Sequence, residues 1–429
     1  MKKKLIIEVH VGKRYGISRL NCDGAGQVKD VMIDNTRYNR ISSQSKKKVW
    51  REHLEEHFEK LTNNTMEHVY RTRAIKDVFE KEFLSSENDL YKEHADEMAA
   101  FIVIQILNCS LEEKVGFETT PQILIVTKYD IKDIVDAFCE VVKTAEDWEN
   151  VKKSATETAK KNSKKTNKES TEETTEETTA TLKNITDLIT KKLPLRSYGV
   201  ECSLFGRMTT SGVMETVESA VCVNHSYSLG KASLDTDYFT VVDNYLSSMK
   251  SDLASGQSGA GYLDEKEFAT HVYYEYASID VGKFYENLTK GVDMADEKNI
   301  ERIRTAITEA VTCLLHDIAC SAPSGGQNSF ASCPDPVGVY ITVREYGAGR
   351  TADTYCIKEM TKKGAGAAKS EADKFLNALS EFMNGAFSNT TDYIKRIYTG
   401  EAPERMTGAE PMSWKEAVDT IGELVHERF

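Results

Sequence analysis

The amino-acid sequence predicts an α+β fold, because strand and helix patterns occur in mixed order along the chain. From Leu5 to Val11, apolar residues alternate with other residues, which is the pattern of a half-buried strand. Ser42 and Ser43 can cap a helix, and apolar residues recur at helical spacing from Trp50 to Leu61. We therefore expect the fold to open with a strand followed by a long helix.

The later elements are predicted from the same periodicities. Helical patterns continue to about residue 118. Beyond them we predict strands at 123–127, 220–228, 268–279 and 337–343, and helices at 131–142, 182–193 and 300–318. The end of the chain is predicted to be helical, with Ser413 and Glu416 in a capping box.

Two stretches differ in composition from the rest of the chain. Residues 152–181 contain almost only Lys, Glu, Thr, Ser, Asn and Ala, so they cannot bury enough apolar surface to offset the entropy of ordering. We predict a disordered, solvated insertion there. Residues 231–263 are polar and rich in glycine, which favours a protruding loop or hairpin.

Composition narrows the possible classes of protein. Lys and Arg total 55 against 68 Asp and Glu, a net charge of −13. The stretch from Lys2 to Arg51 is nevertheless rich in Lys and Arg and poor in carboxylates, so the net charge neither supports nor excludes binding to a nucleic acid. No apolar run approaches the roughly 20 residues that cross a bilayer, which predicts a cytoplasmic protein without membrane contact. The nine cysteines are scattered without a C-x-x-C pair, so neither disulfides nor a zinc knuckle is predicted, and we expect no cofactor.

The stretch Arg37–Arg51 carries the most specific chemistry. It reads Arg-Tyr-Asn-Arg-Ile-Ser-Ser-Gln-Ser-Lys-Lys-Lys-Val-Trp-Arg, a basic run at the predicted start of a helix. Helix N-termini offer unpaired N–H groups and a partial positive charge, and Lys47 and Arg51 are one turn apart on one face. This arrangement suits a phosphate backbone and does not distinguish bases. The alternative is a capped surface helix with a solvated lysine face.

The same stretch belongs to a longer pattern. Asn21-x-Asp23, Lys29 and then Arg-x-x-Arg-Ile-Ser-Ser-Gln-Ser-x-Lys-Lys-x-x-Arg resemble the N-terminal signature of the CasC family, the backbone subunits of the type I-E CRISPR complex Cascade. Further blocks resemble the same family in the same order: Phe205–Met208 with Ser211-Gly212, Ala220–His225, Asp237–Asp243 with Gly261 and Glu267-Phe268, and Gln327–Ala331. Collinear blocks spread from residue 5 to about 343 are a specific signal.

The resemblance implies an RRM-like (ferredoxin-like) palm with a helical fingers insertion and a thumb hairpin. By position, the palm comprises residues 1–60, 196–230 and 266–343, the fingers 61–195, the thumb 231–265, and a C-terminal helical part 344–429. It also implies a non-catalytic subunit that oligomerises as a helical filament along crRNA and presents it for pairing with target DNA in antiviral defence. The implied partners are copies of itself, the crRNA-processing nuclease and the large subunit.

Site residues are carried over by motif. The resemblance implies that ten residues line the phosphate path: Asn21, Lys29, Arg37, Arg40, Ser42, Ser43, Gln44, Lys47, Lys48 and Arg51. If about six phosphates are contacted per subunit, affinity should fall with salt at a log–log slope of roughly −4, because each contact to a single strand contributes about −0.7.

Other residues are implied near the bases. Arg207 and Met208 are expected beside them, and Met208 and Phe239 are candidate apolar wedges, although both are also typical core residues. Gln327 and Asn328 either contact RNA or satisfy the polar groups of their own turn.

Three positions depart from the family pattern. Cys22 replaces an arginine, Asp34-Asn35 replaces a glycine pair, and Gly230 replaces a second histidine five residues after His225. Each of these departures weakens one expected contact, and none of them changes the basic run Arg37–Arg51. We interpret His225, a predicted RNA-binding residue, as a hydrogen-bonded palm residue rather than a catalyst.

An enzyme of another class remains as the alternative. His53-Leu54-Glu55-Glu56-His57 satisfies H-x-x-E-H, the pattern of an inverted-zincin metallopeptidase, in which His53 and His57 bind zinc and Glu56 is the general base. The pattern is short, and no downstream sequence identifies a third ligand. The non-enzymatic interpretation is therefore preferred.

Overall fold

The computed structural model describes residues 4–62, 68–114, 116–153, 185–187, 198–209, 211–241, 262–347, 349–364, 367–385 and 393–429. Most of the predicted disordered insertion, most of the predicted helix at 182–193 and the middle of the predicted thumb lie outside these residues. Within the described ranges, no helix is long and apolar enough to span a membrane.

The strands, in chain order, are β1 (Ile6–Ser18), β2 (Asp30–Ile33), β3 (Thr36–Ile41), β4 (Val69–Thr72), β5 (Glu112–Lys114), β6 (Phe117–Thr119), β7 (Leu124–Thr127), β8 (Val221–Val223), β9 (Ser226–Ser228), β10 (Asp235–Val241), β11 (Tyr262–Asp280), β12 (Pro336–Arg344), β13 (Tyr393–Gly400) and β14 (Glu410–Pro411).

The helices with defined ends are α1 (Ser43–Thr62), α2 (Ile75–Leu84), α3 (Asp89–Glu93), α4 (Ala95–Phe101), α5 (Lys128–Val141), α6 (Gly199–Phe205), α7 (Val281–Thr289), α8 (Glu297–Cys320), α9 (Gln327–Phe330), α10 (Asp353–Thr361), α11 (Glu371–Asn384) and α12 (Trp414–Arg428). A π-helical turn, Ile102–Ile106, continues α4.

The chain divides into two compact units. Unit 1 contains the described residues of Met1–Leu54, Val221–Val281 and Val311–Arg428. Unit 2 contains those of Glu55–Ala220 and Gly282–Ala310, together with Phe429. These boundaries differ from the predicted ones, because residues 196–220 fall in unit 2 and the C-terminal part falls in unit 1. The α+β class is confirmed, and the RRM-like palm, fingers and thumb remain a prediction.

A single large sheet organises unit 1. Its order is β14-β13-β12-β1-β11-β9-β3-β2, with β8 and β10 also paired to β11. The central strand β1 pairs antiparallel with both β11 and β12. One face of the sheet is covered by α10 and α11, whose apolar residues share a core with tyrosines of β11, β12 and β13. Gly12 on β1 permits this close approach, since a Cβ there would lie 2.5 Å from the Phe375 ring.

Unit 2 is built around a helical core. Aromatic rings of several helices pack together there, with Phe138 contacting both Phe83 and Trp148 at centroid distances of 5.7 and 5.9 Å. Two short antiparallel strand pairs, β4–β7 and β5–β6, accompany these helices. Thr127 begins α5 with a capping box, because its side chain accepts from Asp130 N–H and the Asp130 carboxylate accepts from Thr127 N–H.

Most predicted elements occur where the sequence indicated. The strands expected at 5–11, 123–127, 268–279 and 337–343 are confirmed as β1, β7, β11 and β12. The capping box at Ser413 and Glu416 is confirmed by hydrogen bonds in both directions. The part 344–429, predicted as helical, contains helices and also the strand β13, which extends the sheet beside β12. One edge of β12 is therefore hydrogen-bonded to β13, a strand that the sequence periodicity did not predict.

Candidate nucleic-acid interface

The start of α1 in unit 1 is capped by side chains from two other segments. Asn21 Oδ1 accepts from Ser42 N–H at 3.0 Å, and His225 Nδ1 accepts from Ser43 N–H at 3.2 Å. Ser42 Oγ in turn accepts from Ser45 N–H at 3.3 Å. Ser42 and Ser43 are buried. The expectation that α1 offers these N–H groups to a phosphate is therefore wrong, because protein atoms already satisfy them.

His225 joins this cap to a charged side chain. The same Nδ1 also accepts from Arg40 Nη1 at 3.1 Å. A backbone N–H and a guanidinium can only donate, so Nδ1 carries no proton and the neutral ring holds its proton on Nε2. The pKa of His225 is lowered, first by burial and then by the positive charges of Arg40, Lys46, Lys29 and Lys47.

The β2–β3 hairpin presents the two arginines that precede α1. Its turn consists of Asp34 and Asn35, which have φ values of 45° and 59°, and Ile33 pairs with Thr36 across it. This two-residue turn with positive φ at both positions is the geometry for which a glycine pair is favoured, and Asp and Asn tolerate it. The replacement of the expected glycine pair therefore leaves the hairpin intact.

The predicted cations differ in their partners. Arg37 contacts both oxygens of Asp30, at 2.8 and 2.7 Å, and Lys48 pairs with Glu52 at 3.2 Å.

Among the described residues, Lys29, Arg40 and Lys47 form no ion pair with a carboxylate. The pKa of Lys47 is lowered by burial and then by the nearby Arg51. Gln44, also predicted to bind, is exposed at the first turn of α1. Lys29, Arg40 and Lys47 are thus the predicted cations whose charge no carboxylate of the described residues offsets.

Lys46 has a structural role that the sequence analysis missed. Its ammonium is buried, donates to Ser226 Oγ at 2.6 Å and lies 3.6 Å from a Glu275 oxygen. Burial lowers the pKa of Lys46 to about 8, against the opposing effect of Glu275. Lys46 lies four residues before Trp50, which places it on the buried face of α1. The spacing of four residues from Trp50 was the feature of the sequence that could have predicted the burial of Lys46.

Arg207 and Met208, in unit 2, have different environments. Met208 is 79% exposed, so the alternative that it is a core residue is wrong. Arg207 is buried, pairs with Asp130 and donates to Glu215 O at 3.1 Å. The guanidinium of Arg207 therefore has protein partners, and its position beside the bases stays a prediction.

The remaining candidates lie in unit 1. Phe239 on β10 is half-buried, with Lys266 Nζ 4.3 Å from the centre of its ring. Gln327 donates to the carbonyls of Pro323 and Ser332, both at 2.9 Å, so it satisfies its own loop. Asn328 is exposed.

The inverted-zincin motif does not assemble into a metal site. His53 Nδ1 lies 2.8 Å from Asp317 Oδ1, and His57 Nε2 lies 3.2 Å from Glu309 Oε2. Glu56 instead pairs with Lys60. Among the described residues, His53, Glu56 and His57 form no group whose ligand atoms lie within metal-binding range of one another.

Comparison with solved structures identifies the fold. A chain described as "CRISPR RNA-guided surveillance complex, pre-nicking" is 20% identical with a TM-score of 0.67, and the match covers 98% of this chain and 100% of that chain. A second, described as "CRISPR RNA-guided surveillance complex", is 15% identical with a TM-score of 0.52, covering 98% and 99%. The fold is therefore one found in CRISPR RNA-guided surveillance complexes.

The family follows from the sequence itself. Residues 7–427 match the model of the Cas_CT1975 family, the CT1975-like proteins. The chain belongs to this family. No curated protein matches the chain. The resemblance to Cascade subunits that the motifs indicated is thereby confirmed.

Proposed function

We propose that this protein is a non-catalytic backbone subunit of a type I-E Cascade complex, which binds crRNA and oligomerises along it. The crRNA then pairs with target DNA through its free base edges. In this proposal the partners are further copies of the chain, the crRNA-processing nuclease and the large subunit. The family membership and the shared fold support a role in a surveillance complex.

The unpaired cations around the cap of α1 are the observation that carries the proposal. Arg40 is held by a neutral acceptor, His225, so its charge is not cancelled by a carboxylate. Lys29 is fixed to the same region through its backbone, which donates to Asn21 O and accepts from Arg40 N–H. Lys47 projects from the first turns of α1. Such charges attract a phosphate backbone without reading bases.

The neutral imidazole of His225 adds a directed donor to this surface. Because Nδ1 is occupied by Ser43 N–H and Arg40, the Nε2–H remains to donate to an acceptor on RNA. Ribose hydroxyls and phosphate oxygens are such acceptors and occur at every nucleotide. The interface should therefore be tolerant of guide sequence.

The experiment is co-expression with a repeat-containing RNA, followed by purification and sizing of the bound RNA. We expect an RNA of discrete length to copurify with several copies of the protein. Lys47→Glu combined with Arg51→Glu should reduce the bound RNA for every guide sequence alike, because reversed charges repel phosphates.

Lys358→Glu is the matched control. It reverses an exposed lysine of unit 1 that pairs with Glu381 at 2.6 Å, outside the proposed interface. RNA should copurify with this variant as with the wild type. Equal RNA retention by the Lys47→Glu, Arg51→Glu protein, or loss for only some guide sequences, would contradict the proposal.

A further inference from the structure

Two carboxylates and an imidazole converge in unit 2, outside the proposed RNA interface. Glu55 and Glu59 lie one turn apart on α1, and His68 immediately precedes β4. One oxygen of each glutamate and one ring nitrogen of His68 all lie within 4.8 Å of one another. His68 Nδ1 contacts Glu55 Oε1 directly. Three side chains with metal-binding atoms therefore point at a common position.

The backbone holds these side chains in place. The two glutamates share one face of α1 because residues four apart are neighbours on a helix. The carbonyl of His68 accepts from Lys128 N–H at 3.1 Å, at the start of α5. Its ring packs edge-on against Tyr70, with centroids 4.4 Å apart. A helix and the residue before a strand therefore position the three side chains of the cluster.

The cluster carries more negative charge than its surroundings compensate. Among the described residues, Glu55 forms an ion pair only with His68, and the Glu59 carboxylate has no hydrogen-bond or ion-pair partner. The next glutamate, Glu56, differs, since Lys60 neutralises it. Like charges one turn apart repel, so a bound cation would relieve this repulsion.

We propose that Glu55, Glu59 and His68 bind a divalent transition-metal ion of the Mn²⁺ or Zn²⁺ class. Carboxylate oxygens suit Mn²⁺, and imidazole suits first-row ions such as Zn²⁺, so the mixed set disfavours Ca²⁺, which prefers oxygen ligands alone. Ligand atoms around an ion at roughly 2.1 Å lie about 3.0–3.5 Å apart, so the side chains would adjust from their present separations of up to 4.8 Å when the ion binds. Three protein ligands leave positions for water, and the ion would tie α1 to the start of β4.

The experiment titrates the metal-free full-length protein with MnCl₂ and measures free Mn²⁺ by electron paramagnetic resonance. Mn²⁺ is the better probe because the chain has free thiols, which favour zinc. We expect one Mn²⁺ per chain for the wild type. Glu59→Gln and His68→Gln should each lower the affinity for Mn²⁺ by a factor of about ten or more. Loss of a residue that only hydrogen-bonds to a metal ligand already lowers metal affinity by about that factor.

Glu56→Gln is the matched control on the same helix and should bind Mn²⁺ as the wild type does. Mn²⁺ should also raise the Tm of the wild type and of Glu56→Gln, but not that of Glu59→Gln. Among the described residues the Glu59 carboxylate has no partner that the substitution would remove, so Glu59→Gln provides the test if His68→Gln does not fold. Absence of Mn²⁺ uptake by the wild type, or unchanged uptake by Glu59→Gln, would overturn the proposal, and neither result bears on RNA binding.

Discussion

Replacing Asp30 by Asn should strengthen RNA binding. In the structure Asp30 holds Arg37 through two contacts, so the guanidinium is neutralised before any RNA arrives. Removing the carboxylate charge releases Arg37 to contact a phosphate. The exposed pair contributes only about 0–1 kcal/mol to folding, so the variant should stay folded.

The size of the effect follows from counting charges. Contacts to about six phosphates would give a salt slope of roughly −4, at about −0.7 for each contact. Among the described residues, Lys29, Arg40 and Lys47 are the predicted cations without a carboxylate partner, and three contacts give an expected slope of about −2. Asp30→Asn should steepen the slope by about 0.7 and raise affinity about five-fold at about 0.1 M salt.

The assay is fluorescence anisotropy of a labelled single-stranded RNA over a series of salt concentrations. Glu410→Gln is the control, because it neutralises a carboxylate that pairs with Lys395 at 2.8 Å elsewhere in unit 1. Its slope should equal that of the wild type. An unchanged slope for Asp30→Asn, or an equally steepened slope for Glu410→Gln, would contradict this prediction.

Three further outcomes are expected. The pKa of His225 is lowered in the folded state, so the unfolded chain binds more protons and the free energy of unfolding should fall as the pH drops through about 6.5. His225→Gln still offers Ser43 N–H an acceptor and should lessen that fall, as measured by urea unfolding at two pH values. Arg207→Met should cost about 3–5 kcal/mol in unfolding free energy by stranding the buried Asp130 charge, and an unchanged Tm would contradict this. Met208→Ala should change unfolding free energy by less than about 0.5 kcal/mol, since its side chain is exposed, while weakening RNA binding if it contacts bases.

Elements with one buried face were predictable from sequence, because their periodicity is local. The helix expected behind Ser42 begins at Ser43, and the capping box at Ser413 is present. By contrast, β1 continues beyond the predicted strand to Ser18. In this extension the buried residues include Lys13 as well as Tyr15, so the alternation of apolar and polar residues no longer marks the strand. The strand β13 was overlooked although its Tyr, Ile, Ile and Tyr residues are strand-forming types.

The sequence predicted that the candidate interface is basic, but it did not predict which residues its side chains contact. The basic run Arg37–Arg51 was visible in the sequence, and Lys46 was distinguishable from Lys47 only by its spacing from Trp50. The His225 cap and the Asp130–Arg207 pair join residues far apart in the chain. Pairings of that kind depend on the tertiary fold, and no local pattern encodes them.

The position of β1 at the centre of the large sheet has a consequence for biosynthesis. This strand leaves the ribosome long before its neighbours β11 and β12, which are translated only after the residues of unit 2 that lie between them. Until then its apolar face and both edges are unprotected, and such long-range pairing forms slowly. Nascent chains should therefore depend on chaperones to keep the first strand from associating with other polypeptides.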